Sequence, residues 1–119
     1  MASQHRVNRV RHLLHRELSA IVMRLKDPRT QMVTVVDAEI SRDLRSAKMF
    51  VSLVGTDSER KQAMAALHNA LGFIRREVAK RVQLRYTPTI DVEYDDTAER
   101  AAHITALLDS LGEEADGGE

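Results

Sequence analysis

The spacing of apolar residues changes repeatedly along this chain, and the order of the changes limits the folds open to it. From about Arg6 to Leu25 the apolar positions are Val7, Val10, Leu14, Leu18, Ile21 and Leu25, one stripe of an amphipathic helix. The far side of that helix collects Arg6, Arg9, His12, Arg16 and Arg24. Pro28 disfavours helix at Asp27, so the segment ends before "KDPR". The period then drops to two. "TVVDAEIS" predicts a strand with Thr34, Val36, Ala38 and Ile40 on one face, and "SAKMFVSLV" a second with Ala47, Met49, Val51 and Leu53. "RDLR", Arg42 to Arg45, is short and polar, the connection of a hairpin. Ser58 is placed to cap a new helix with Glu59 in its first turn, and helical spacing continues to about Val82. "TIDVEY" alternates as a third strand through Ile90, Val92 and Tyr94. Thr97 starts a last helix holding Ile104, Leu107, Leu108 and Leu111, with Gly112 as its end. Residues 1–112 thus read as one domain, and the acidic residues 113–119 as a disordered tail.

One glycine interrupts this scheme. "LHNALGFIRREVAKRVQLR", Leu67 to Arg85, has helical spacing, yet Gly72 costs its middle about 1 kcal/mol relative to alanine. A straight helix from Glu59 to Val82 would measure about 36 Å. A sphere-like domain of this size is about 35 Å across. The sequence therefore predicts a bend at Gly72 that divides the segment into two helices packed on one sheet. Around a buried side at Ile74 and Val78, Arg76, Lys80 and Gln83 point outward, Arg75 flanks them, and Arg81 is spaced to pair with Glu77.

Charge sharpens the picture. The 119 residues carry no net charge, but residues 1–90 hold seventeen Lys or Arg against eight Asp or Glu, a net +9. Residues 91–119 hold Arg100 alone against ten acids, a net −9. Such asymmetry fits either a solvated surface with an acidic tail or a basic body built for a polyanion. The absence of cysteine excludes a disulfide scaffold, a thiolate metal site and a thiol nucleophile. No apolar run approaches the ~18 residues of a membrane span, and no signal peptide is read at the basic start, so a cytoplasmic protein is expected.

Candidate chemistry is sparse. His12 and His15 lie one helical turn apart, with His5 and His68 elsewhere, but no acid joins them at ligand spacing, so no metal is expected. Asp95 and Asp96 are adjacent acids at a strand end, where turns and helix starts favour them, or else a catalytic pair. The four aromatics, Phe50, Phe73, Tyr86 and Tyr94, make no evident stacking platform.

The predicted order, α-β-β-α-α-β with a break between the middle helices and a further C-terminal helix, is similar to that of a type II KH domain, an α+β fold. "ELSAIVMRLKDPR", "VTVVDAEISRDLRSAKMFVSLVG" and "LHNALGFIRREVAKRVQLRYTP" resemble the ribosome-binding factor A family over roughly Arg6 to Leu111. The resemblance implies a monomeric, non-catalytic assembly factor without cofactor or membrane, linked to growth in the cold. It would bind the free 30S small ribosomal subunit and assist maturation of 16S rRNA, including its 5′ end. Ordinary KH domains clamp single strands with a Gly-x-x-Gly loop. Here Asn69-Ala70-Leu71-Gly72 takes its place with one glycine, as an Ala-x-Gly kink, which favours structured rRNA held through its phosphates. The candidate RNA-binding residues are Arg75, Arg76, Lys80, Arg81 and Arg85 on the middle segment, with Arg45 and Lys48 on the hairpin. A generic single-strand KH module and a small nuclease or other enzyme using Asp95, Asp96 and a histidine are the alternatives.

Overall fold

The computed structural model describes residues 3–117. Ser3 caps the first helix, α1 (Gln4–Met23), its hydroxyl accepting from the Arg6 amide at 3.2 Å. Val7, Val10, Leu14, Leu18 and Ile21 are buried as the stripe predicts. After α1 the chain turns through one 3₁₀ turn, Pro28–Thr30, with Asp27 as its cap and Pro28 at the position where a missing N–H costs nothing.

Three strands follow in a single sheet of order β1-β2-β3. β1 (Val33–Ile40) and β2 (Ser46–Leu53) are antiparallel, and β3 (Thr89–Tyr94) lies parallel to β2. Ala47, Met49, Val51, Ile90 and Val92 are buried on the inner face, as alternation requires. β1 departs from expectation. Val35 sits opposite Val51 and Asp37 opposite Phe50, so Val36 is the extra residue of a β-bulge. Val33 and Val35 therefore face the core, Val36 is exposed, and only beyond the bulge do Ala38 and Ile40 take the predicted face. A one-residue offset reverses every side chain before it.

The second helix, α2 (Asp57–Arg81), corrects the predicted break. It is one helix of 25 residues, and among the described residues no glycine has positive φ. Leu67, Ile74 and Val78 are fully buried on both sides of Gly72, so the core holds the helix where local propensity would weaken it. Asn69, Ala70 and Gly72 are ordinary helical positions, and Gly72 is exposed. The spherical outline assumed above also fails. With α3 included the molecule measures 66 × 36 × 16 Å, dimensions that accommodate a helix of about 37 Å. The cap is Thr56 rather than Ser58: its hydroxyl accepts from the Glu59 amide, while Glu59 accepts from the Thr56 amide.

The core lies between the sheet's inner face and the pair α1 and α2. Among the described side chains of the third helix, α3 (Thr97–Gly117), none joins it. Ile104, Leu107, Leu108 and Leu111 are each more than half exposed. Gly112 does not end α3, since it lacks the left-handed conformation that terminates helices. The helix runs on to Gly117, so residues 113–117 of the expected disordered tail are helical, and 118–119 lie outside the described residues.

Candidate nucleic-acid interface

Parallel pairing of β2 and β3 matches Ser46 with Thr89, and the Thr89 amide donates to the Arg45 carbonyl at 2.9 Å. The entries to both strands therefore lie side by side. The hairpin tip before β2 is thus brought against the segment between α2 and β3, beside the start of α1. Together they form a cleft of about 410 Å³ with Arg6, Arg45, Arg85 and Tyr86 around it, Asp43 at its rim, and Leu44 and Leu84 packed on the core beneath.

The tip is built by its own polar groups. The Ser41 amide donates to the Ser46 carbonyl at 2.8 Å, and the Leu44 amide to the Ser41 carbonyl at 2.9 Å. The Ser41 hydroxyl donates to Asp43 at 2.6 Å, and Asp43 also accepts from the Arg45 amide at 3.1 Å. The bond from Ser41, then that from Arg45, holds the Asp43 carboxyl below the usual carboxylate range. Leu44 has φ of 62°, the left-handed region that residues other than glycine, asparagine and aspartate seldom occupy. The Arg45 guanidinium sits 4.8 Å from the Tyr86 ring centroid and that of Arg85 5.4 Å, both within cation–π range. Arg6 and Tyr86 were not singled out as site residues in the sequence. Tyr86 adjoins Arg85 in the chain, but the parallel register that brings both to Arg45, and the packing of α1 that adds Arg6, are shown by no local pattern.

The α2 candidates divide into different roles. Arg75 donates to the carbonyls of Pro88 at 3.1 Å and Thr87 at 2.9 Å, tying the linker before β3 to the helix. Arg81 turns between helices to meet Glu17 of α1 at 3.4 Å, with both side chains about four-fifths buried. Glu77 pairs instead with Lys80, at 3.0 Å. Arg76 is exposed, and among the described residues no carboxylate pairs with it. Lys48 lies on the sheet's outer face, 3.8 Å from Glu93. It is separate from the cleft.

The other candidates are engaged structurally. Asp95 accepts from both the amide and the hydroxyl of Thr97, first the hydroxyl, and these bonds hold its carboxyl low. Asp96 meets Arg100 at 3.0 Å. Nε2 of His15 lies 3.0 Å from the Val35 carbonyl, joining α1 to β1. Tyr94 donates to the Leu53 carbonyl at 3.3 Å and to Glu99, while Arg60 lies 4.8 Å over its ring and 3.5 Å from Glu99. Burial, then Glu99, pushes the Tyr94 phenol up. This cluster anchors the first turn of α3. Among the described residues no three His, Asp or Glu group as a metal site, and no helix is long and apolar enough to cross a membrane.

A three-stranded α+β domain carrying an arginine-rich cleft over an apolar floor has the fold and charge of a small nucleic-acid-binding module. Its family follows from comparison with known proteins. The chain belongs to the ribosome-binding factor A family, whose model matches residues 6–108. It is 46% identical over 110 residues to ribosome-binding factor A of Halothermothrix orenii, covering 92% of this chain and 90% of that protein. The solution NMR structure of a Thermotoga maritima protein, a putative ribosome-binding factor A, superposes with a TM-score of 0.67 at 33% identity. That match covers 78% of this chain and 90% of the other. A homology model of the Thermus thermophilus factor, fitted into a cryo-electron microscopy map of its complex with the 30S subunit, superposes with a TM-score of 0.60 at 25% identity. It covers 70% of this chain and 88% of that one.

Proposed function

We propose that this protein binds the free 30S ribosomal subunit and assists late maturation of 16S rRNA, acting by binding rather than by chemistry. Family membership across nearly the whole chain is the observation that carries the reading. The fitted Thermus thermophilus relative supports the partner, and the basic cleft supplies groups suited to RNA phosphates. In this reading the protein works in the cytoplasm as a monomer, a KH-like module that recognises folded RNA. The Asn69–Gly72 stretch, continuous with α2, lacks the loop that a single-strand KH clamp needs. Asp95 and Asp96, committed to Thr97 and Arg100, argue against a nuclease built on them.

Co-sedimentation with isolated small subunits, large subunits and joined ribosomes tests the reading. Binding is expected to small subunits and to be lost when the subunits join, with no change in rRNA length in purified mixtures. Equal binding to all three particles would overturn the assembly-factor role, and RNA cleavage would overturn its non-catalytic part.

A further inference from the structure

We propose that the cleft between the hairpin tip and the α2–β3 linker takes one unpaired nucleotide of the RNA, its base stacked against the Arg45–Tyr86–Arg85 group and its phosphate held by Arg6. The inference rests on the RNA-binding reading above and gives it a defined pocket.

Three observations converge there. The cleft's volume, about 410 Å³, lies within the range of small-ligand sites, whereas a backbone contact alone needs no concavity. Its composition matches the two halves of a nucleotide. Leu44 and Leu84 offer an apolar floor to a base, and Arg6, Arg45 and Arg85 outnumber the one acid, Asp43. That acid already accepts from Ser41 and the Arg45 amide. Tyr86 is half exposed although two guanidiniums lie against its ring. Aromatic rings and guanidinium planes are the surfaces on which single-stranded bases stack.

The strained tip fits the same role. Leucine at φ 62° occupies a position where glycine or asparagine is at ease. Its side chain is thereby placed beneath the cleft, and strain held at a ligand site is a recurrent arrangement.

Two measurements test the proposal on the full chain. The first compares the affinity of Tyr86→Phe, Tyr86→Leu and Tyr86→Ala for isolated small subunits. The ring is half exposed, so the fold survives each change. Loss of one stacked base weakens binding about fivefold or more. Alanine and leucine should show that loss, and phenylalanine should stay within about twofold of wild type. Three variants that bind like wild type would overturn the cleft while leaving the subunit reading intact. Equal weakening by phenylalanine would assign the effect to the hydroxyl and overturn stacking.

The second measurement follows backbone amide NMR signals during titration with adenosine 5′-monophosphate, and separately with inorganic phosphate. The nucleotide is expected to move the signals of Asp43–Arg45 and Leu84–Tyr86 in wild type but not in Tyr86→Ala, with phosphate alone moving them less. Equal shifts with phosphate would reduce the cleft to an anion site and overturn the proposal. Nucleotide shifts without any effect of Tyr86 on subunit affinity would assign a free nucleotide instead of RNA. If wild type fails to bind subunits, the functional reading falls, and the titration alone decides whether the cleft takes a nucleotide.

Discussion

At the scale of single residues, Gly72 is the clearest test of the unbroken helix. A Cβ there would meet only the Nη1 end of Arg76, at 3.5 Å, an ordinary contact with a flexible group. Gly72→Ala should therefore stabilise the protein by about 0.4–1 kcal/mol, read by urea denaturation. A loss of stability would reinstate a bend. Arg76 and Arg81, five positions apart, should respond in opposite ways. Arg81→Ala leaves the mostly buried Glu17 with only the exposed Arg16, 3.4 Å away, and should cost about 1 kcal/mol, toward the exposed-pair limit. Arg76→Ala should change stability by no more than about 0.5 kcal/mol. If Arg76 meets a phosphate, its loss should lower the log–log salt slope of subunit binding by about 0.7–0.9. Equal destabilisation by both changes would contradict the geometry.

At the scale of elements, hydrophobic period marked every helix and strand, and it marked the inner faces of β2 and β3. It misplaced the first half of β1 because a bulge adds one residue without altering composition: Val36 is as apolar as Val35, and only the pairing partner distinguishes them. The period ran unbroken through α2, and the predicted break came from glycine propensity, which is local, whereas Leu67, Ile74 and Val78 are held by a sheet distant in sequence. Site residues were legible in part for the same reason. Arg45 and Arg85 stand out as cations, but the meeting of Arg45 with Arg85 and Tyr86 depends on the match of Ser46 with Thr89 across α2, and that with Arg6 on the packing of α1. Arg75 and Arg81 look like their neighbours in a helical projection, and only partners 12 to 64 positions away show them tied to the protein. α3 is held near its start by Tyr94, Glu99 and Arg60, and beyond that its leucines are exposed. A chain ending after Arg100 should keep its melting temperature within about 4 °C, equivalent to about 1 kcal/mol or less. A larger fall would show that the apolar stripe of α3 packs on the domain.

At the scale of the whole molecule, acid stability is set at the joints between elements. Asp27 is held low first by the Arg29 side chain, Asp43 by Ser41, Glu59 by the Thr56 amide and Asp95 by Thr97. Each folded-state value is depressed, so each contributes stability that is complete above the unfolded carboxylate value, about 4. That contribution is lost as pH falls through the lower folded value. The urea midpoint should therefore drop as pH falls below about 4, and Asp43→Asn should make the drop shallower. An unchanged acid limb in that variant would show that Asp43 titrates alike in both states.

The parallel match of β3 with β2 also bears on how the chain first acquires its shape. β1 and β2 leave the translating ribosome as a hairpin, which on its own is marginal in water. The remaining edge of β2 has no neighbour until α2 and then β3 have been made, so the sheet cannot close before Tyr94. Until α2 has been made, Met49 and Val51, buried in the finished domain, have only α1 to cover them, and the edge of β2 stays open until β3 follows. Such half-made sheets are prone to aggregate, and the pairing that ends the exposure is non-local and slow to form. The nascent chain thus remains vulnerable until the residues through Tyr94 have emerged, and its sheet is secured only then.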